Sequence, residues 1–124
     1  MSMSEEVSRW RYLADEAKAG RLHLDRTVAE GCRDACNRQI DLYVSLREDL
    51  KMLTRVTGLG ELDCSDELAK MLGAKAIGGE GDVDTALKEH TEVLTLMRDT
   101  IQISVDRIIT QDETNSQDTN NLLN

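Results

Sequence analysis

Two long apolar runs separated by a glycine-rich middle leave this chain few ways to fold. One run passes through Ala29, Cys32, Cys36, Tyr43, Leu46, Leu50 and Leu53. The other passes through Val83, Leu87, His90, Leu94, Met97, Ile101 and Ile108. Both advance in steps of three and four, which gather side chains on one face of an α-helix. The chain has no proline, no phenylalanine and only 2% aromatic residues. Strands favour aromatic and β-branched residues, whereas uninterrupted helices tolerate this composition well. The expected fold class is all-α: an antiparallel helical hairpin with a short helix in its connecting region, pairing into a four-helix bundle.

With 124 residues there is room for one core. Gly20 interrupts the pattern and predicts a bend, which sets off an N-terminal helical segment over 1–20. Trp10, Leu13, Ala14 and Ala17 would form its apolar stripe, and Ser2 with Glu5, or Ser4, would cap it. The hairpin then occupies 21–112, with long helices over 21–54 and 83–111. Gly58 is placed for the left-handed residue that ends the first of them. Ser65, followed by Asp66 and Glu67, predicts the N-cap of a short helix over 65–76. Its Leu68, Met71, Leu72 and Ala76, with Leu59 and Leu62, would plug the open end of the hairpin. Gly78 to Gly81 release the chain, and Asp82 or Asp84 caps the last helix. The segment 113–124, rich in Asn and Thr, is expected to be disordered.

The last helix carries more apolar surface than one neighbour can cover. Beside the seam residues lies a second set, Val93, Leu96, Thr100 and Ile103, and together they span about 200° at about 100° per residue. Either the short helix and the N-terminal segment cover the surplus, or a second hairpin does. The second alternative makes the bundle intermolecular, with burial of Leu96 and Ile103 contributing about 2 kcal/mol each. The expected interface is therefore Tyr43, Leu46, Leu50, Leu53, Leu87, Leu94, Met97 and Ile101 on the seam, with Val93, Leu96 and Ile103 beside it.

Charge narrows the partners. With 24 acids against 15 bases the net charge is −9, which opposes nucleic acid and anionic lipid. No apolar run reaches the roughly eighteen residues of a membrane span. The acidic start, Met1 to Glu6, lacks the pattern of a secretory signal peptide. Three cysteines are an odd number, which suits reduced thiols in a cytoplasmic setting.

Candidate chemistry is sparse. Cys32 and Cys36 stand four apart, but in the expected register Cys36 lies opposite Ile101, far from either histidine. They read as small apolar seam residues. His90, opposite about Arg47, reads as a core histidine. Cys64, before the short helix, is the best candidate for a reactive thiol, since a helix N-terminus favours thiolate. The Glu-x-x-His pairs of di-iron bundles are missing, because Leu87 and Gly20 stand three before His90 and His23. Gly78 to Gly81 lacks the Lys and Ser/Thr of a phosphate loop. No catalytic residue, cofactor or metal site is expected, and no enzyme.

The stretch Arg55-Val-Thr-Gly-Leu-Gly-Glu-Leu62, with Leu68-Ala69-Lys70, Lys75-Ala76-Ile77-Gly78-Gly79, Leu87-Lys88-Glu89-His90 and Met97-Arg98-Asp99-Thr100, resembles a known family. It is similar to small actinobacterial helical hairpins related to the Trp-x-Gly proteins of type VII (ESX) secretion. The similarity covers about residues 21 to 112. The Trp-x-Gly turn, which would fall near Thr57 to Gly60, and the Tyr-x-x-x-Asp/Glu signal after the second helix are not present. The resemblance implies a protomer that pairs with itself or a homologous hairpin, and export by a leaderless route, alone or with a larger secreted effector. The functional expectation is a protein-interaction module. A cytosolic adaptor, antitoxin or chaperone that masks a partner's apolar surface is the alternative.

Overall fold

The computed structural model describes residues 3–53, 58, 60, 61 and 64–123, apart from the Leu53 side chain. Among them are four helices and no strand: α1 (Met3–Lys18), α2 (Arg26–Leu53), α3 (Ser65–Ala76) and α4 (Val83–Leu123). α4 packs against both α1 and α2. The all-α class expected from the sequence is the class observed. The expected cap at Ser2 and the plugging residues Leu59 and Leu62 lie outside the described residues.

The bend at Gly20 has a clear local cause. Gly20 takes φ +78°, open to glycine at little cost. Its N–H donates to the Ala17 carbonyl at 3.1 Å, and the Arg21 N–H donates to Glu16 at 2.9 Å. Those two bonds close α1 in a Schellman turn. A Cβ on Gly20 would also run into the Arg107 guanidinium. The second helix does not resume at Arg21 as expected. It waits for Asp25, whose carboxylate accepts from the Val28 N–H at 3.1 Å and caps α2.

The chain divides into two compact units. The first comprises Met1–Arg38 with Val93–Asn124. Ala29, Cys36, Ile101 and Val105 form its core, with Leu24, Leu94, Met97 and Ile109 packed against them. Ala17 of α1 is fully buried. The Arg26–Asp112, Arg33–Gln102 and Asn37–Arg98 pairs run in opposite chain directions, so α2 and α4 are antiparallel here. Cys36 and Ile101 meet, as the expected register requires.

The second unit is Gln39–Glu92. Its α2 and α4 segments are again antiparallel, joined by Tyr43–His90 and Arg47–Asp84. α3 ends at Ala76, and Gly78, with φ +90°, turns the chain back. The Gly79 N–H returns to the Ala74 carbonyl at 2.8 Å. A Cβ on Gly79 would stand 2.4 Å from that same oxygen, so only glycine fits. Asp82 then joins two elements. Its carboxylate accepts from the Gly78 N–H at 2.8 Å and from Thr85 of α4. Those bonds make Asp82, rather than Asp84, the cap of α4.

Two boundaries differ from expectation. α4 does not stop at Gln111 but runs to Leu123, although every described residue from Gln111 onward is exposed. With no glycine or proline there, nothing in the backbone ends the helix. Side chains add local bonds, Gln111 to Asn115 at 3.2 Å and Thr119 to the Asn115 carbonyl at 2.9 Å. At α3, Cys64 occupies the N-cap position and makes no side-chain cap bond, while Ser65 is the first helical residue.

Candidate interaction surface

The α2 residues that face α4 are not quite those the sequence selected. In the first unit Ala29, Arg33 and Cys36 point inward. In the second, Ile40, Tyr43, Arg47 and Leu50 are all half-buried. The steps are four and three throughout, so the stripe is helical, but it passes through Arg33 and Arg47 where the sequence suggested Cys32 and Leu46. Each arginine lays its stem along the seam and carries its charge to an acceptor on α4. Arg33 Nη1 reaches Gln102 Oε1 at 3.4 Å. Arg47 binds Asp84 through two bonds, Nε at 2.8 Å and Nη2 at 3.3 Å. That fork holds the Asp84 carboxyl below the ordinary aspartate range and raises the Arg47 guanidinium. Cys32 and Leu46 are exposed as a result.

The remaining expected interface residues divide by unit. In the second unit Tyr43 stands edge-on to His90 with ring centroids 6.3 Å apart. His90 itself is exposed, not a core histidine, and it sits opposite Tyr43, one turn from the expected Arg47. Leu50 and Leu87 are half-buried. In the first unit Leu94 and Met97 pack against the core and Ile101 belongs to it. The second α4 stripe is largely covered within the chain: Val93 is 8% exposed, Thr100 is fully buried, and Leu96 and Ile103 are half-buried. α4 packs on α1 as well as α2. Val93 and Thr100 are thus covered within the chain, while Leu96 and Ile103 keep part of their surface exposed.

Tyr12, Val28, Leu122 and Leu123 stay exposed in the first unit, and more of the exposed apolar side chains lie in the second. Leu42, Leu46 and Met52 of α2 are exposed, as are Leu68, Met71 and Leu72 of α3. α3 is inverted relative to the expected plug. Ser65, Gly73 and Ala76 are buried, and Ala69 is half-buried on the same side. The large side chains look outward, with Met71 65% exposed. The spacing 65, 69, 73, 76 was visible in the sequence as a stripe of small residues. Apolar size favoured the other face, but it is the small residues that are buried.

The sites of possible chemistry are dispersed. Cys36 is buried and its thiol is pushed up by desolvation, with Cys32 adding to the effect. Cys64 is exposed at the start of α3. Among the described residues no three His, Cys, Asp or Glu side chains gather as metal ligands. No helix among them is long and apolar enough to cross a membrane. In the first unit a groove of about 670 Å³ lies between the segment after Gly20 and α4, lined by Leu22, Leu24, Ile103 and Ile108, with His23 and Arg107. Its size suits a small ligand, but the Arg107 guanidinium is engaged with the Lys18 carbonyl. No protein-family model matches the chain, nor does any curated protein or solved structure.

Proposed function

We propose that this protein is a non-enzymatic interaction module, a helical hairpin completed by another helical hairpin, itself or a homologue, into a four-helix bundle. One observation carries this reading. The Gln39–Glu92 unit buries Ser65, Gly73, Ala76 and Asp82, and no large apolar side chain among its described residues is buried, while Leu42, Leu46, Met52, Leu68, Met71 and Leu72 stay exposed. Large apolar side chains left exposed in this number favour an interaction site, because proteins otherwise hide such groups. We place the surface responsible in the second unit, where apolar side chains stand more exposed than Val93, Leu96 and Ile103 do. The resemblance to type VII secretion hairpins supports the same reading, because such proteins act in pairs.

Sedimentation of the purified chain over a wide concentration range tests the reading. The expected result is reversible association, or a soluble complex with one helical protein encoded nearby. A chain that stays monomeric and well dispersed, with or without that neighbour, would overturn it. Export is tested separately by looking for the intact protein in culture filtrate of its host. A chain that aggregates alone and is rescued by one neighbour would fit the adaptor alternative instead.

A further inference from the structure

We infer that the outward face of α3 is a self-recognition surface, on which Leu68, Met71 and Leu72 pack against the same face of a second copy running antiparallel. This rests on the reading above that the protein completes itself with another helical chain. Three observations support it.

First, the face is held outward by its own backbone. The inward side is occupied by Ser65, Gly73 and Ala76, and the following Gly79 lies against the Ala74 carbonyl with no room for a Cβ. α3 cannot roll to bury Leu68 and Met71 without lifting these small residues off their contacts. Second, the helix is charge-neutral within a chain of net charge −9: Asp66 and Glu67 against Lys70 and Lys75. An acidic surface elsewhere on a copy would be repelled by the molecule as a whole, and a strongly basic partner would find no acidic face here. A second α3 is equally neutral, so the two faces meet with no local repulsion.

Third, the charges are polarised along the helix. Asp66 and Glu67 lie in the first turn and Lys75 in the last, where its Nζ donates to the Glu80 carbonyl at 3.2 Å. A parallel copy would set like charges together. An antiparallel copy brings Lys75 of each chain to the Asp66/Glu67 end of the other, and opposes the two helix dipoles favourably. Leu68 and Leu72 of one copy then lie against Leu72 and Leu68 of the other, with the adaptable Met71 side chains near the two-fold axis. Three side chains per copy cover far less than the roughly 1,200 Å² of a stable interface, so the pairing is of the weak, reversible kind.

Sedimentation equilibrium of the full chain, with helicity followed by circular dichroism, tests the assignment. Met71→Asp should weaken self-association by about tenfold or more while leaving helicity unchanged, because its site is exposed. Glu67→Lys and Lys75→Glu should each weaken it, and the double exchange should restore it. Association that survives Met71→Asp would overturn the α3 surface while leaving the broader pairing intact. Failure of the double exchange to rescue would overturn the antiparallel arrangement. A wild-type chain that never self-associates would overturn self-recognition altogether, whereas the broader reading would still stand if a homologous hairpin formed a complex with it.

Discussion

The two units of this molecule are built from the same kind of helix and bury very different things. The Met1–Arg38/Val93–Asn124 unit closes on Ala29, Cys36, Ile101 and Val105. The Gln39–Glu92 unit closes on Ser65, Gly73, Ala76 and Asp82, a lining of small and polar groups. The first is held together chiefly by apolar burial, in proportion to the area removed from water. The second relies on backbone fit and on the Asp82 and Arg47–Asp84 bonds. Helical periodicity alone does not say how much apolar surface a helix will bury, because small residues can take the contact and leave large ones outside.

The contrast is broken most directly by truncating one large side chain in each unit. Ile101→Ala should cost about 2–5 kcal/mol by lost burial and a cavity in the first core. Met71→Ala, at an exposed site, should change monomer stability by no more than about 0.5 kcal/mol. Denaturant unfolding at low protein concentration checks both, and similar losses at the two sites would erase the distinction drawn here.

A smaller effect is expected at Asp82, where the second unit depends on polar bonds. Bonds from Thr85 first, and from the Gly78 N–H, pull this carboxyl below the ordinary aspartate range. A depressed folded-state value means that the ionised form is favoured by folding. Its contribution is therefore complete above the unfolded-state value, about 4, and is lost as the pH falls through the folded-state value. Asp82→Ala should lower the thermal midpoint at neutral pH by about 3–6 °C, as expected for a lost helix cap. Asp82→Asn should keep most of the cap and give a shallower acid limb than wild type. An acid limb identical in the two proteins would remove Asp82 from this role.

A small effect of the opposite sign should come from the first unit's buried hydroxyls. Thr100 Oγ1 and Ser104 Oγ are buried without a hydrogen-bond partner among the described residues. An unsatisfied buried hydroxyl costs more than an apolar group of the same shape. Thr100→Val should therefore leave stability unchanged or raise it, by up to about 1 kcal/mol. A clear loss in thermal unfolding would show that this hydroxyl is satisfied in solution.

Much of the fold was legible because it follows from local rules. The bend at Gly20, the short helix over 65–76 and a carboxylate cap at Asp82 or Asp84 each depend on a few neighbouring residues and on glycine or carboxylate chemistry. The candidate surface was harder to read. Ala29, Cys36, Tyr43 and Leu50 were recognisable as seam positions, but the positions between them were ambiguous by one residue. Apolar character chose Cys32 and Leu46, whereas the folded chain chose Arg33 and Arg47. Their stems are apolar enough for a seam, and Gln102 and Asp84 stand opposite to receive their charges. No pattern within α2 reveals that.

By itself, then, the sequence determined that this protein is helical, where its glycine breaks fall, and that two of its helices run past each other in opposite directions. Hydrogen bonds four residues apart and glycine's left-handed turns act within a few residues, so they are written locally. Only the tertiary structure decided that α4 packs on α1 as well as α2, that Arg33 and Arg47 line the seam, and that α3 turns its large side chains outward. Those outcomes depend on which surface comes close enough to exclude water. That is a property of pairs of helices, and no single helix carries it.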